Sequence, residues 1–462
     1  MNIHPRSREA YQLLHNGLLA FARAEQVGMR VDVDACERKK SFLTKKIRRL
    51  EHEVLDSKFG RRWEHTVGNR KINLNSNHQL AHYLYKVRNL TPTKNTPSGR
   101  GATDDEALKD LGIPEVEKIL EMRKLRKIRD TYLDAYTREQ VGGIIHPFFN
   151  LHLARTYRSS SDHPNFQNIP IRDAEAMRLV RSVLLPRLGH QFLSGDYSGV
   201  EVRMACVYTE DPKLIHDTIH GDMHRDMAIE LYMLDDLDKR NPGEKTLRQG
   251  AKNGFVFPEF YGDYYEHCAQ GLLKWAEQGA LRDGTPALVH LQDKGLVKLD
   301  KAGKIRNPAA FVQHVRRVED SFWNKRYRVY NRWKDRIWRR YQRKGYIDLL
   351  TGFRCSGLMS KKDVTNYPFQ GTAFHCLLWS FVEVDKEINR KGWESRLVSQ
   401  VHDELIIDAI PGEVKELART VKRIATEDLP AQWTWLNKVP LEVEFALGEV
   451  NASMAERKIM DV

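Results

Sequence analysis

The chain has 462 residues and a formal net charge of +13, so it is long enough for two or three domains rather than one compact core. The basic charge favours a polyanionic partner, because neutralising phosphates releases counterions. Five scattered cysteines without a C-x-x-C pair argue against a disulfide framework or a zinc site. Without a membrane-spanning apolar run or a signal peptide, we expect a soluble cytoplasmic protein with no membrane partner.

Residues 1–140 are predicted to be mainly helical. Apolar and charged residues alternate at helical spacing through about the first 60 positions. A basic cluster at 45–50 favours a solvated helix face; the alternative is a helix that crosses a duplex backbone. A turn-rich loop follows at 92–104, and residues 116–136 have the pattern of a long charged amphipathic helix.

The first candidate for chemistry lies in residues 193–203. An apolar strand is predicted to end at Asp196, a Ser-Gly turn follows, and Glu201 and Arg203 then occupy alternate positions. A carboxylate held at the end of a buried strand suits a metal ligand. An aspartate before a turn is also ordinary turn chemistry, so this stretch alone leaves both interpretations open.

A second candidate lies in residues 397–407, where His402, Asp403 and Glu404 separate two apolar runs. This pattern predicts a β-hairpin with carboxylates at its tip. If its strands pack beside the first one, Asp196 and Asp403 approach each other, and close carboxylates repel unless a cation lies between them. Magnesium also binds phosphate oxygens, so the pair predicts two Mg²⁺ ions and two-metal phosphoryl transfer.

The two stretches resemble palm motifs of family A DNA polymerases, the bacterial DNA polymerase I group. Five motifs follow one another in the order that this family has. They are RSSSDHPNFQNIP at 158–170, DYSGVEVR at 196–203, RQGAK with FYG at 248–262, NYPFQGTA at 366–373 and QVHDE at 400–404. The resemblance implies a DNA-templated DNA polymerase that adds deoxynucleotides to a primer 3′ end in replication or repair.

The resemblance also implies an α+β right-hand fold with an antiparallel palm sheet and helical fingers and thumb. The expected boundaries are 1–140 for the thumb and N-terminal part, 141–215 and 346–462 for the two palm parts, and 216–345 for the fingers. Because the thumb-like sequence begins almost at the first residue, we expect no nuclease domain and no proofreading in this chain. A separate nuclease or processivity subunit would then be a partner, and a phage, mobile-element or cellular origin stays open.

Individual residues receive roles from the same resemblance. Asp196, Asp403 and the Tyr197 carbonyl would hold two Mg²⁺ ions with support from Glu404, and Lys252 would also donate a proton to pyrophosphate. The deoxynucleoside triphosphate would contact Arg248, Lys252, His224, Glu201, Phe257 and Tyr261. Primer–template DNA would contact Arg158, Asn165, Gln167, Asn168, Arg172, Lys362, Asn366, Gln370 and His402.

Structural roles compete with several of these assignments. The amides of loop 165–168 suit minor-groove contacts and equally Asx-type capping. A histidine in the position of His224 more often has a structural role. The aromatic and basic residues of 263–345 fit base stacking, but a helical core with a basic outer face explains most of them. Residues 282–304 look like an added subregion, to which the sequence assigns no purpose.

The fingers motif departs from the family pattern by one residue. Lys252 and Tyr261 are nine positions apart, whereas the family spaces them by eight. Val256 keeps one helical turn to the lysine and Phe257 keeps one to the tyrosine; we favour Phe257 as the aromatic residue that faces the sugar. The proline that follows removes a helical hydrogen bond. We therefore predict that a local bulge at 253–257 absorbs the extra residue.

Two other functions fit parts of the sequence. A single-subunit phage-type RNA polymerase shares the palm, the two aspartates and a similar fingers helix, but Glu201 placed two residues before Arg203 and the signature at 159–170 argue against it. A polymerase-derived DNA-binding protein without catalysis is the second alternative. Pure binding has no use for Asp196 and Asp403 beside phosphate, so the sequence favours the polymerase.

Overall fold

The computed structural model describes residues 6–67, 71–109, 111–171 and 173–462. Arg172, one of the predicted DNA contacts, lies outside the described residues. All five cysteines are free thiols, as their spacing predicts. None of the helices in the described ranges is both long enough and apolar enough to cross a membrane.

Strands and helices alternate irregularly along the chain. The strands are β1 (Met29–Val31), β2 (Ile144–Ile145), β3 (Phe148–Asn150), β4 (Ser160–Asp162), β5 (Leu184–Leu185), β6 (Gln191–Tyr197), β7 (Lys298–Leu299), β8 (Ile305–Asn307), β9 (Tyr346–Asp348), β10 (Arg354–Ser356), β11 (Arg396–Val401), β12 (Glu404–Ala409), β13 (Val443–Leu447) and β14 (Lys458–Met460). The α-helices are α1 (Ser7–Val27), α2 (Val33–Leu55), α3 (Lys58–Val67), α4 (Asn77–Ala81), α5 (Asp105–Lys109), α6 (Pro114–Arg126), α7 (Asp134–Glu139), α8 (Ala174–Arg181), α9 (Val200–Thr209), α10 (Pro212–His220), α11 (Met223–Tyr232), α12 (Pro242–Ala251), α13 (Phe257–Phe260), α14 (Tyr265–Ala276), α15 (Ala287–Asp293), α16 (Ala309–Ser321), α17 (Arg328–Lys344), α18 (Lys361–Lys391), α19 (Val414–Arg423) and α20 (Leu429–Gln432). Short π-helical segments at Lys127–Leu133, Lys252–Val256 and Phe322–Arg326 continue the helices that precede them.

An antiparallel sheet with the strand order β11–β12–β6–β13–β14 forms the centre of the fold. β6 lies in its middle because six of its seven residues are buried, and only Asp196 is exposed. β12 and β13 flank β6 so that Glu404 and Glu444 both stand opposite Asp196. β13 pairs with β6 on the other side, and β14 continues the sheet beyond it.

The chain reverses direction directly after β6. Gly199 adopts a left-handed conformation with φ of 58°, which suits a residue without a Cβ atom. Glu201 and Arg203 lie in helix α9 and not in an extended segment, although they occupy alternate positions in the sequence. The helix therefore presents Glu201 beside the end of β6 while Arg203 is buried and donates to the Ser198 carbonyl at 2.9 Å.

Helix α18 crosses the sheet and is held by α1 and α9. Its N-terminus has a capping box, in which Ser360 and Asp363 each bond the backbone of the other. Phe21 of α1 packs edge-on against Phe381 of α18, with ring centroids 4.9 Å apart. The first helix of the chain thus packs against the sheet-bearing part of the molecule.

The rest of the N-terminal region packs into a second hydrophobic core, which also includes Phe192, Val398 and Ile406 of the central sheet. The predicted helix at 116–136 is confirmed as a continuous rod made of α6, a π-helical segment and α7. Helix α2 packs along this rod. At the far end, the buried Trp63 stacks on Tyr83 with ring centroids 5.1 Å apart. Burial of these aromatic rings stabilises this part of the fold.

Candidate active site

The two predicted acidic residues come together at one end of the sheet. Asp196 is the last residue but one of β6, and Asp403 lies in the turn between β11 and β12. The backbone amide of Tyr197 donates to the carbonyl of Asp403 at 3.1 Å. This bond joins the two carboxylate-bearing segments directly, as the pairing of the two sequence stretches predicts.

The electrostatics of this end of the sheet are those of crowded carboxylates. Burial, followed by the negative charges of Glu404, Asp403 and Glu444, raises the pKa of Asp196 to about 7, although the residue is partly accessible to solvent at the end of β6. Burial also raises the pKa of Asp403. Both carboxyl groups would be stabilised as anions by a cation placed between them.

The donor set fits a cation that arrives with a substrate. Within the described ranges, no three or more His, Cys, Asp or Glu side chains are grouped so as to hold a metal ion. The available donors are the carboxylates of Asp196 and Asp403 and the carbonyl of Tyr197. Magnesium is commonly held by one or two carboxylates together with substrate phosphates and water, so an incomplete protein shell is the chemistry expected here.

The supporting role predicted for Glu404 has a structural basis. Its carboxylate pairs with the Arg457 guanidinium at 2.6 Å. Arg457 precedes β14, a strand that the sequence does not reveal, and its charge offsets one of the acids that crowd Asp196. Sequence reasoning missed Arg457 because nothing near it in the chain marks it as a neighbour of the site.

The turn that carries Asp403 is braced by a buried amide that the sequence does not single out. Gln400 is almost fully buried, and its side chain donates to the His402 carbonyl. Its own carbonyl oxygen accepts from Ser159 at 2.7 Å and from Gln167 at 2.8 Å. Residue 402 itself has a left-handed φ of 54°. The network therefore ties loop 158–168 to the hairpin turn.

Across the cleft, the fingers helix contains the predicted irregularity. Residues Lys252–Val256 form a π-helical segment, in which the amide of Phe257 donates to the carbonyl of Lys252. The prediction of a local bulge at 253–257 is confirmed, because a π turn absorbs one extra residue. The turn lies directly before Pro258, which has no backbone N–H to continue the helical hydrogen bonds. Phe257 lines the cleft, whereas Val256 is fully buried in the core, which agrees with the preference for Phe257.

One ammonium group and one imidazole ring lie against Phe257, and Arg248 lies nearby on the same helix. The Lys252 ammonium lies 5.3 Å from the centre of the Phe257 ring, and His224 packs edge-on against it at 5.6 Å. Burial, and then the charges of Lys252 and Arg248, lower the pKa of His224 to about 4, so this imidazole is neutral. The Arg248 guanidinium donates hydrogen bonds to both carboxylate oxygens of Asp222, at 2.8 and 3.0 Å. These groups suit a bound triphosphate.

Glu201 connects the two sides of the cleft. Its carboxylate accepts hydrogen bonds from Arg158 on one side and from the Tyr261 hydroxyl on the other. The same cleft is lined by Asp403 and Phe257. Glu201 therefore lies on the floor between the acidic pair and the fingers helix, where its side chain limits the space that a ligand can occupy.

The predicted DNA contacts have mixed surroundings. Lys362 and His402 are exposed and line the cleft. Asn366 is buried and donates to the Tyr261 carbonyl at 3.1 Å, while the Gln370 carbonyl accepts from Arg158. In the remaining set, Asn165 caps the amide of Asn168 at 3.0 Å and Gln167 bonds Gln400. The capping alternative for this loop is thus present in the folded chain.

Comparison with known proteins decides the family. The sequence profile of DNA polymerase family A matches residues 34–279 and 315–453. The chain belongs to DNA polymerase family A. The part of the chain between the two matched segments contains the subregion 282–304, which forms α15 and β7 and is followed directly by β8. Members of this family use divalent metal ions, in agreement with the crowded acidic pair.

Individual relatives support this membership. The chain is 30% identical over 433 residues to DNA polymerase I of Aquifex aeolicus. The aligned region covers 93% of this chain and 65% of that protein. It is 28% identical over 471 residues to the thermostable DNA polymerase I of Thermus filiformis, covering 97% of this chain and 49% of that protein. The chain thus spans between about half and two thirds of these relatives.

A solved structure supports the fold. The POL domain of Pol1 from M. smegmatis, in complex with DNA primer-template and dNTP, superposes with a TM-score of 0.72 at 24% identity. The match covers 95% of this chain and 69% of that one. The predicted α+β right-hand fold, with a palm sheet and helical fingers and thumb, is therefore confirmed.

Helix α13 carries a buried carboxylate that the sequence did not predict. Glu259 is 2% exposed; it accepts from the Trp323 indole at 2.7 Å and from the Cys268 thiol at 3.5 Å. Burial raises its pKa to about 8, and nearby Glu319 adds to the shift. A pattern of apolar residues around a single Glu was the available signal.

We expect Glu259 to make stability depend on pH. Because its pKa is higher in the folded than in the unfolded chain, its contribution is complete below its ordinary value of 4.5 and is lost as pH rises through about 8. Glu259→Gln should flatten this decline, so that at about pH 9 the variant has the higher free energy of unfolding. Urea unfolding at both ends of this range measures it, with exposed Glu266→Gln as the control; an equal decline in both variants would contradict the assignment.

Proposed function

We propose that this chain is a DNA-templated DNA polymerase that adds deoxynucleotides to a primer 3′ end. The observation that carries the proposal is the meeting of Asp196 and Asp403 across β6 and the β11–β12 turn, opposite the cationic fingers helix. A binding protein gains nothing from an acidic pair with raised pKa values beside phosphate, whereas phosphoryl transfer uses it.

The acidic pair would hold two Mg²⁺ ions together with the Tyr197 carbonyl. When bound, these ions would supply charge neutralisation for the primer 3′ oxygen, the triphosphate and the pyrophosphate. Asp196 and Asp403 contribute by holding their oxygens at fixed places on paired backbone segments. Arg457, which pairs with Glu404, limits the negative charge that accumulates at this end of the sheet.

The fingers helix would bind the incoming triphosphate. Arg248 and Lys252 are one turn apart, so one helix face presents both charges. Arg248 would exchange its contact with Asp222 for phosphate oxygens, and Lys252 would donate a proton to the departing pyrophosphate. The neutral His224 imidazole would donate a hydrogen bond without adding charge.

The polymerase would grip its primer–template with elements on both sides of the sheet. Residues 1–140 would include the thumb, 141–215 and 346–462 the palm, and 216–345 the fingers. Arg158, Gln167 and the exposed His402 and Lys362 would face the duplex near the primer end. The remaining proposed contacts in this group are Asn165, Asn168, Arg172, Asn366 and Gln370.

The cellular setting follows from the relatives. The DNA polymerase I proteins described above are bacterial, which supports a role in bacterial replication or repair over the phage origin that the sequence leaves open. We place the enzyme in the cytoplasm, where its DNA and nucleotides are found.

Primer extension on a defined template tests the proposal. The native chain with magnesium should add the templated deoxynucleotides and should prefer them to ribonucleotides. Preferential use of ribonucleotides would move the assignment to the single-subunit RNA polymerases. Failure to extend any primer, with duplex binding intact, would leave the DNA-binding protein as the better description.

Sugar selection should depend on Glu201. Its carboxylate is held from both sides, so the side chain occupies space beneath the incoming sugar and would exclude a 2′ hydroxyl. Glu201→Ala should lower the preference for deoxynucleotides over ribonucleotides by about 10- to 200-fold, the usual effect of one steric contact. Single-nucleotide incorporation measures the ratio; Glu201→Gln keeps the volume and should lose less. An unchanged ratio in the alanine variant would refute this role.

A further inference from the structure

Helix α17 carries a row of arginines on its exposed side. We name it the arginine face; its members are Arg328, Arg332, Arg336, Arg339 and Arg343. Their spacing of three or four residues places them along one side of the helix. All five are exposed, and none of them forms an ion pair with another described residue. Like charges at this spacing destabilise an isolated helix, so this surface is suited to a polyanion.

The opposite side of α17 is fixed to the cleft. Trp333 is buried and stacks on Phe369 of α18 with ring centroids 5.0 Å apart. Tyr330 packs against Phe260 at the end of α13 at 5.7 Å. The arginine face therefore lies about one helix diameter, about 10 Å, from the helix that faces the nucleotide site.

Two lysines at the start of α18 connect the cleft to this face. Lys362 lines the cleft together with Tyr261 and Asp403. Its neighbour Lys361 pairs with Asp335 of α17 at 2.8 Å. Asp335 is the only acidic residue of α17, so Lys361 neutralises the one negative charge on the helix. A continuous basic path leads from the cleft mouth onto the arginine face.

We propose that the single-stranded template ahead of the active site leaves the cleft over Lys362 and Lys361 and lies along the arginine face. This inference rests on the proposed polymerase function. From Arg328 to Arg343 the helix rises about 22 Å, which is long enough to contact several successive phosphates of a single strand. Arginine binds phosphate oxygens in a bidentate manner, and no base contact is required, so the path accepts any sequence.

Binding to templates with different overhangs tests the path. The probes are labelled primer–templates whose 5′ overhang is about 3 or about 15 nucleotides, bound by the full chain at several salt concentrations. The native protein should bind the long overhang at least about tenfold more tightly. In the variant R332Q/R336Q/R339Q/R343Q this advantage should disappear, and the slope of log Kd against log salt should fall by about 3, since each lost single-strand phosphate contact accounts for about 0.7.

A matched control separates this surface from net charge. Lys294, Lys298, Lys301 and Lys304 are exposed on the added subregion, and their replacement by glutamine removes the same total charge. This control should keep the overhang preference. If the quadruple arginine variant does not fold, the pairs R332Q/R336Q and R339Q/R343Q should each remove about half of the slope change.

The outcomes are distinct. Equal affinity of the native chain for both overhangs, or an unchanged preference in the arginine variants, would overturn the inference. Native binding of a polyglutamate peptide through the arginine face, without any overhang effect, would also overturn it and would indicate an acidic protein partner. Failure of the polymerase proposal appears separately, as absent primer extension on both templates.

Discussion

Asp403→Asn should abolish primer extension, reducing the rate by at least about a thousandfold, equivalent to about 4 kcal/mol of transition-state stabilisation. Asparagine keeps the shape of the side chain but removes the negative charge that would hold a divalent cation. The turn that carries residue 403 is fixed by the bond between its carbonyl and the Tyr197 amide, which the substitution leaves in place. The loss should therefore be chemical rather than structural.

Stability provides the second readout for this variant. Asp403 belongs to a crowded acidic group, and burial raises its pKa, so the folded protein gains by losing the charge. Urea unfolding in the absence of divalent ions should show a stability equal to or above that of the native chain. A structural residue would behave in the opposite way, with activity and stability falling together.

Glu442→Gln is the matched control. Glu442 is an exposed carboxylate just before β13, at the same end of the sheet, and it pairs with Arg203 at 2.7 Å. Its removal changes the net charge by the same amount as Asp403→Asn. Extension should stay within about threefold of the native rate, because the exposed Glu442 lies outside the acidic pair and the buried Arg203 keeps its bonds to the Ser198 and Pro440 carbonyls. An active Asp403→Asn enzyme would refute the two-metal assignment.

Lys252→Met should lower kcat/KM for the incoming deoxynucleotide by about 100- to 1000-fold, the usual effect of removing one charged group from a phosphoryl-transfer site. Methionine matches lysine in length and helix propensity, so the π-helical segment should persist. The ammonium lies beside the Phe257 ring in the cleft and forms no ion pair with any described residue. It is thus available for the triphosphate.

Single-turnover incorporation measures this effect, and duplex affinity should stay within about twofold because the lysine would contact nucleotide rather than DNA. Lys245→Met is the control: it removes the same side chain from the same helix face, two turns earlier, where the residue is exposed. An equal loss in both variants would mean that net charge on the helix, and not Lys252 itself, is responsible.

Local sequence was sufficient for the elements of this site. The run before Asp196 is apolar, short and followed by a Ser-Gly turn, which favours a buried strand, and the polar residues between two β-rich runs predict a turn at Asp403. The extra residue in the fingers helix, with Pro258 unable to donate, predicted a local bulge at 253–257, and the structure has a π-helical segment at Lys252–Val256. Each of these features depends on backbone chemistry within a few residues.

Tertiary structure alone decided how these pieces combine. Arg457 balances Glu404, and Gln400 braces the Asp403 turn, through contacts between residues distant in the chain that no local pattern marks. Asn366, a proposed DNA contact, is buried and donates to the Tyr261 carbonyl, so that a hydrogen bond joins α18 to the end of the fingers helix. Spacing along one helix defines a face, but only packing determines whether that face meets solvent, ligand or protein.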